Sequence, residues 1–355
     1  MTDENFMNKK IPFAMFRVVL VVIVSSILLA GCASGDHASR SKTGRPAISS
    51  ITYHGWTNAL LLSSDRVEAI IVPGIGRVMQ FRFGGEEDGP FWENRAMDGK
   101  SPNPASPEWG NFGGDKSWPS PQSEWPKVTP RAWPPPQAFD SMPVTATVAG
   151  RKVTLTSAVD PHFGIRTTRE IELVRGKPTM RIITTYEKIK GPARKAGVWI
   201  ITQLREPAGV FVPLPSDHRF LEGYDLQSKS APPSLRVSGN WVSLKRDRKT
   251  AFKIGTEANT LIWVGEKYSL RIDSIRQPHK EYPDHGSSAE VYTNPDPLPY
   301  VELEMLGPLH DLNVGDRISQ TNTYTLFRRV ENDPGKEAHR IAPIRAPFGS
   351  QKFPD

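Results

Sequence analysis

Apolar and polar residues alternate in short runs along most of the chain, and β-branched residues are frequent within these runs. A period of two places the apolar side chains on one face, which is typical of half-buried strands. The runs cover residues 67–72, 77–83, 144–149, 152–157, 167–174, 180–187, 196–203, 260–264, 268–275, 289–293, 300–305 and 317–327. Turn residues separate most of them, and Arg175-Gly176-Lys177-Pro178 predicts a hairpin between two of the clearest. This pattern predicts an all-β fold, a sandwich or a barrel, and the lack of a 20–50-residue repeat disfavours a propeller.

Residues 102–143 interrupt the alternation with eleven prolines and four tryptophans. Proline at this density argues against regular sheet, and so many aromatic residues argue against disorder. An ordered aromatic loop inside a β domain is typical of a binding site or a lid. Residues 113–122 add Asp115, Lys116 and Gln122 beside Trp118, a mixture that suits the apolar and hydroxyl faces of a sugar. Alternatively, the tryptophans plug the end of the sandwich and Asp115 pairs with Lys116 at the surface.

The N-terminus carries an apolar run, residues 18–29, preceded by three basic residues and followed by Leu-Ala-Gly-Cys ending at Cys32. About twelve residues are too few to span a bilayer comfortably, so the run predicts a cleaved signal peptide. The motif resembles the lipobox of bacterial lipoproteins, whose cysteine is acylated and begins the mature chain. Two or three acyl chains give durable anchoring. Ala33 in place of an aspartate resembles outer-membrane lipoproteins, so we expect a lipid-anchored envelope protein of the outer membrane.

Charge and cysteine content narrow the class of protein. Cys32 is the only cysteine, so no disulfide can form within the chain and the fold depends on its core. Residues 1–31 hold three basic and two acidic side chains, and without them the net charge falls from +7 to +6. No block of five like charges occurs, which together with export argues against nucleic-acid binding.

Two carboxylates stand out because Glu302 and Glu304 lie two positions apart on one face of a predicted strand. Their separation of about 6.5–7 Å falls within the range used by inverting glycosidases, although a solvated strand face has the same pattern.

Arg169 shares the parity of its apolar neighbours and so needs a partner, which a structural ion pair supplies most simply. The spacing of His279 and His285 fits no compact metal motif, and no dinucleotide or phosphate-binding fingerprint occurs, so we predict neither metal nor cofactor.

Several motifs occur together in a characteristic order. They are Val72-Pro73-Gly74-Ile75-Gly76-Arg77-Val78-Met79, Gly113-Gly114-Asp115-Lys116 with Trp118 and Pro121-Gln122, the Trp133-Pro134-Pro135-Pro136 run, Trp199-Ile200-Ile201-Thr202-Gln203, Val212-Pro213-Leu214-Pro215 and Tyr300-Val301-Glu302-Leu303-Glu304. Over residues 50–328 this order resembles an uncharacterised bacterial family of galactose-mutarotase-like domains, DUF4380. The resemblance implies a galactose-mutarotase-like β-supersandwich that holds a carbohydrate in its concave face.

One motif is also similar to the aldose 1-epimerases, an isomerase class. Pro295 and Asp296 follow Glu290 by five and six residues, as they follow the catalytic glutamate of those enzymes. By this resemblance Glu290 takes the proton of the anomeric hydroxyl, an acid protonates the ring oxygen, and the ring opens and recloses on the other face. The histidines of those enzymes have no counterpart here. Lys116 beside Asp115 is the candidate acid, provided that burial lowers the lysine pKa.

These observations define the expected organisation and site. We predict a signal peptide over residues 1–31, a polar tether over 32–49, the β domain over 50–328 and a loose tail over 329–355. The candidate catalytic residues are Glu290, Lys116 and Asp115, and the candidate substrate-binding residues are Arg77, Trp118, Gln122, Trp133, Trp199, Gln203 and Glu302. Three hypotheses follow: a carbohydrate-binding protein with epimerase-like activity, a non-catalytic binding lipoprotein, or a glycosidase or lyase that uses Glu302 and Glu304.

Overall fold

A computed structural model describes residues 47–104, 106 and 108–342. The predicted signal peptide, Cys32 and the tether up to residue 46 lie outside the described residues, whereas the last predicted tether positions belong to the first strand. The strands are β1 Ala47–Tyr53, β2 Trp56–Ser63, β3 Val67–Val72, β4 Arg77–Phe83, β5 Asp115–Ser120, β6 Thr145–Ala149, β7 Lys152–Thr156, β8 Ile165–Leu173, β9 Thr179–Lys188, β10 Arg194–Arg205, β11 Gly209–Pro213, β12 Asp225–Leu226, β13 Arg236–Ser238, β14 Trp241–Leu244, β15 Phe252–Thr256, β16 Thr260–Val264, β17 Tyr268–Asp273, β18 Ala289–Thr293, β19 Tyr300–Leu306, β20 His310–Leu312 and β21 Arg317–Arg328. The α-helices are α1 Trp125–Val128, α2 Gln137–Asp140 and α3 Pro334–Ile341.

The strands form two antiparallel sheets. The first sheet has eleven strands in the order β1-β2-β3-β4-β5-β10-β19-β18-β15-β12, with β20 attached to β10. The second sheet has ten, in the order β13-β14-β11-β16-β17-β21-β9-β8-β7-β6. The all-β prediction is therefore confirmed, and so is the hairpin at residues 175–178, since β8 and β9 pair along their whole length.

The main core lies between the sheets because each strand alternates its side chains. On β8 every second residue is buried, including Ile165, Ile171 and Leu173. On the facing sheet, β19 sends Val301 and Leu303 into the same core. Burying these apolar positions drives the two sheets together.

The opposite face of β19 is not solvated. Glu302 and Glu304 point away from the core, yet their residues are only 8% and 1% exposed. The interpretation of this strand face as a solvated surface is therefore wrong. Loops packed on the first sheet cover the face, and the two carboxylates have cationic partners instead of bulk water.

The proline-rich segment contains a regular strand, contrary to the sequence prediction. Strand β5 pairs with β10 over six residues and includes Pro119, which lies opposite Val198. On its other side β5 pairs with β4, and among the described residues this pairing has one register position, Val78 opposite Asp115. Proline is tolerated at position 119 because that part of β5 has a single strand neighbour.

The expected loose tail contains a packed helix. Helix α3 buries Ala338 and Ile341 against Ile262 and Val264 of β16, and the Asp333 side chain caps it by accepting from the amide of residue 336. The prediction is wrong for residues 334–342, and residues 343–355 lie outside the described part. No helix among the described residues is long and apolar enough to cross a membrane.

Candidate functional site

Ionisable side chains gather on the outer face of the first sheet, the face turned away from the second sheet. Lys116 on β5 lies opposite Ile201 on β10, Ile201 lies opposite Glu304 on β19, and Glu304 lies opposite Glu290 on β18. Residues paired in this way share a face. Two positions along the strands, Glu302 of β19, Tyr292 of β18 and Lys253 of β15 form a second row on the same face. We call Lys116, Lys253, Glu290, Glu302 and Glu304 the outer-face cluster.

Lys253 is the centre of one half of this cluster. Its Nζ lies 2.7 Å from Glu290 Oε2 and 3.0 Å from Glu304 Oε2. It also lies 4.5 Å from the ring centroid of Trp199, whose Nε1 donates to Glu304 Oε2 at 2.7 Å. Burial alone would lower the pKa of Lys253, but Glu290 and Glu304 together raise it well above its ordinary value. The ammonium group is therefore charged at neutral pH, and its side chain keeps 21% exposure.

Lys116 occupies the other half and is fully buried. Its Nζ lies 3.4 Å from Glu302 Oε1 and within 5.4 Å of the ring centroids of Trp109 and Trp118. Burial lowers the pKa of Lys116, and Glu302 opposes this shift. The direction matches the one required of an acid near neutral pH. However, the indole rings cover the ammonium group, so Lys116 has no exposed surface for a ligand.

Glu290 is also completely buried. Besides Lys253, it accepts a hydrogen bond from Gln227 Nε2 at 2.7 Å. Burial raises the pKa of Glu290 and outweighs the opposing effect of Lys253. Gly255 lies opposite Glu290 on β15, and a Cβ there would collide with Gln227 and Ser287. The glycine therefore leaves the space through which Gln227 reaches the carboxylate.

The sequence search matches no family model and no curated protein. Solved structures are similar in fold. A TPR-domain containing protein from Parabacteroides distasonis superposes with a TM-score of 0.53 at 14% identity, over 78% of this chain and 48% of that one, so the chain spans about half its length. A galactose mutarotase-like protein from Lactobacillus casei gives 0.52 at 9% identity over 76% and 100% of the two chains. A putative aldose 1-epimerase from Klebsiella pneumoniae gives 0.51 at 11% identity over 83% and 85%.

The described chain has the galactose-mutarotase-like fold. At these identities the likeness concerns the fold alone. The mutarotase-like β-supersandwich predicted from the sequence is thus confirmed, and the outer-face cluster lies on the central strands of one of its sheets.

Asp115 does not belong to the outer-face cluster, which corrects its assignment beside Lys116. Its side chain points into the core between the two sheets, where it pairs with Arg169 of the second sheet. It also accepts hydrogen bonds from Thr202 at 2.7 Å and from Tyr324 at 2.6 Å. The adjacent residues diverge because successive strand residues point to opposite faces. Asp115 and Arg169 form the ion pair expected for an inward arginine, and they join the two sheets.

Arg77 anchors the proline-rich segment and has no contact with the cluster carboxylates. Its guanidinium donates to Gly113 O at 2.7 Å and to Asp140 at 2.8 Å. The same Asp140 carboxylate accepts from Trp109 and Trp118 at 3.0 and 2.9 Å. Burial lowers the pKa of Arg77, and Asp140 opposes this change. The segment is therefore fixed onto the sheet through one carboxylate.

The tryptophans pack mainly against one another. Trp118 contacts Trp109, Trp125, Trp133 and Trp199 edge-to-face, with ring centroids 5.4–5.9 Å apart. Trp118 and Trp199 are 4% and 3% exposed, so neither offers an open platform, whereas Trp133 is 44% exposed. The sequence analysis offered two interpretations of these tryptophans, a plug at the end of the sandwich or a platform for a sugar. The packing of Trp118 fits the plug better. Gln122 is exposed in the short 3-10 turn that precedes α1. It does not belong to the outer-face cluster.

Sequence reasoning missed several groups of this site. Lys253 lies on β15, for which the pattern predicted no strand, so its parity could not be assigned. Gln203, which was predicted, lies opposite Glu302 on the outer face. Burial and Glu302 raise the pKa of Tyr300, and the nearby side chains of Asn111 and Gln203 oppose this shift. The carboxylate pattern did not single out Tyr300 or Asn111. Among the described residues, no group of three His, Cys, Asp or Glu side chains could hold a metal ion.

Proposed function

We propose that the outer face of the first sheet binds a carbohydrate. The observation that carries this proposal is the outer-face cluster itself: three carboxylates and two ammonium groups lie on the sheet face that the core does not need. Buried ion pairs stabilise a fold no better than apolar residues of similar size. Selection for binding accounts for their presence there better than selection for stability, and carboxylate, amide and indole groups are the ones that bind sugars.

The finer proposal is an aldose 1-epimerase-like interconversion with Glu290 as general base. Burial shifts the pKa of Glu290 upward, toward the range in which a base can take and return a proton. Gln227 now occupies one carboxylate oxygen, so a sugar hydroxyl would replace that amide. Lys253 is partly exposed and lies 2.7 Å from the base, so it can stabilise negative charge on a bound sugar. Its raised pKa makes it a poorer proton donor than Lys116, whose pKa is lowered but whose ammonium group is covered.

Two other functions have less support. A glycosidase or lyase using Glu302 and Glu304 would have to release the carboxylates from Lys116 and Lys253. A non-catalytic protein-binding role would rest on the exposed Trp133, a single large apolar residue. We further propose, from the sequence pattern alone, that the protein is an envelope lipoprotein anchored through Cys32, with the β domain as its functional part.

Calorimetry and thermal shift against mono- and oligosaccharides test the binding proposal. The full-length protein is kept in a detergent without a sugar head group, since glucoside and maltoside detergents would compete. We expect at least one sugar to raise the melting temperature, and Glu290→Gln to weaken its binding by about tenfold or more. Glu172→Gln, on the second sheet, is the matched control and should bind normally. If no sugar shifts the melting temperature, the carbohydrate proposal fails.

Polarimetry on the sugar that binds tests catalysis. If Glu290 is the base, the protein accelerates equilibration of the anomers, and Glu290→Gln slows it by about 10²–10⁴-fold. Binding without acceleration by the wild type would leave a binding protein and refute the epimerase-like step.

A further inference from the structure

A second set of polar groups lies at the Tyr300 end of the outer face. In the β10–β19 pairing, Gln203 lies opposite Glu302, and Tyr300 precedes Glu302 by two positions. All three side chains therefore share the outer face. Asn111, from the segment before β5, lies near the Tyr300 hydroxyl, because its side chain opposes the rise in the pKa of Tyr300 that burial causes. We call Asn111, Gln203, Tyr300 and Glu302 the amide end.

The amide end contains buried acceptors without donors. Gln203 is 0% exposed and Asn111 is 7% exposed. Gln203 Oε1 and Asn111 Oδ1 accept no hydrogen bond from the described residues. The amide nitrogens, Gln203 Nε2 and Asn111 Nδ2, likewise have no hydrogen-bond partner among the described residues. Buried groups of this kind are uncommon in folded proteins and call for a missing partner.

Glu302 adds negative charge to these acceptors. Its Oε1 lies 3.4 Å from Lys116, a long contact, and no described residue donates to its other oxygen, Oε2. The lysines of the outer-face cluster cannot supply more charge, because Lys253 is shared between Glu290 and Glu304. Glu302 therefore has one long ionic contact, which leaves its charge only partly compensated beside the amide end.

Aromatic rings border the same groups. The Tyr300 ring lies 4.6 Å from Trp92 and 6.3 Å from Tyr292, measured between centroids. The backbone N–H of Trp92 donates to the backbone carbonyl of Gln203 at 2.9 Å, which holds the indole in place. Tyr292 is half-buried, so the amide end borders solvent on that side. Aromatic faces attract cations as well as sugar rings.

We infer that the amide end binds the protonated amino group of an amino sugar. An ammonium group donates three hydrogen bonds, which the free oxygens of Glu302, Gln203 and Asn111 can accept. It also brings positive charge to the partly compensated Glu302 carboxylate, which a neutral hydroxyl cannot do, whereas an acidic sugar would be repelled by it. This inference rests on the proposed carbohydrate site and specifies the class of sugar.

Competitive calorimetry with glucosamine, glucose and N-acetylglucosamine, and with short β-1,4-linked oligomers of glucosamine, tests the inference. The measurements use the full-length protein at about pH 6, below the pKa of ~7.7–8.0 typical of an α-amino group. We expect the amino sugars to bind about tenfold more tightly than their neutral counterparts, the factor expected from one hydrogen bond to a charged group. Glu302→Gln should abolish this preference, so that glucosamine and glucose bind the variant with equal affinity. Glu172→Gln again serves as the matched control.

The outcomes separate this inference from the proposed function. Equal affinity for glucose and glucosamine, or a preference that survives in Glu302→Gln, overturns the amino-sugar assignment but leaves carbohydrate binding intact. Binding of no sugar at all overturns both. If Glu302→Gln unfolds, Gln203→Leu provides the second test, because it removes an acceptor and should weaken glucosamine more than glucose.

Discussion

At the scale of single residues, the alternation of a strand decides the chemistry of neighbouring side chains. Asp115 and Lys116 are adjacent in sequence and were predicted to act together. On β5 they point to opposite faces, so one joins the two sheets and the other enters the outer-face cluster. Sequence proximity could not reveal this separation, because the proline content of the segment argued against a strand.

Asp115→Asn tests the structural role of this residue. The change keeps the size of the side chain but leaves Arg169 buried without a countercharge. We expect a loss of about 3–5 kcal/mol in the free energy of unfolding, measured with urea. The exposed Asp311 provides the control variant Asp311→Asn, which should change stability by less than ~0.5 kcal/mol. A loss for Asp115→Asn as small as the control would show that the pair does not hold the sheets together.

At the scale of secondary-structure elements, short apolar runs bounded by turn residues located several strands accurately. The predicted bounds of β3, β4, β16 and β18 coincide with those of the structure. Short strands such as β12 and β13 contain too few residues for a period of two to show. Strand β15 was missed as well, and with it Lys253, one of the five residues of the outer-face cluster.

Helix α3 has a pH-dependent attachment to the second sheet. Burial alone would raise the pKa of Glu337, but hydrogen bonds from Arg340, Ser269 and two backbone amides outweigh it and lower the pKa from 4.5 to about 2. A lowered pKa in the folded state means that the carboxylate stabilises the protein above about pH 4.5. This contribution is lost as the pH falls from about 4.5 to 2.

Glu337→Gln should therefore destabilise the protein at pH 7 and have progressively less effect in acid. Hydrogen bonds to a charged group suggest a loss of about 1.5–3 kcal/mol at neutral pH. Urea unfolding of both proteins between pH 7 and pH 2 measures the difference. Glu266→Gln, at the exposed turn between β16 and β17, is the control. A difference that stays constant down to pH 2 would rule out ionisation of Glu337 as its cause.

At the scale of the whole molecule, the two sheets have separate tasks. The second sheet supplies Arg169 and Tyr324 to the core and carries α3 on its other side. The first sheet contributes one face to that core and presents the outer-face cluster on the other. The sequence predicted this division only in part, since the overall fold follows from alternation, whereas the covering of the outer face depends on loops that have no period.

The proposed lipid anchor would place this site close to a membrane surface. Fourteen residues separate Cys32 from Ala47, the first residue of β1, so covalent geometry limits their distance to about 50 Å. We expect the wild-type protein to incorporate labelled fatty acid in its native host and Cys32→Ala to incorporate none, as measured by labelling followed by gel analysis. Ser34→Ala is the matched control and should retain the label. Unlabelled wild-type protein would contradict the anchor, and mass spectrometry of the N-terminus would then locate any cleavage site.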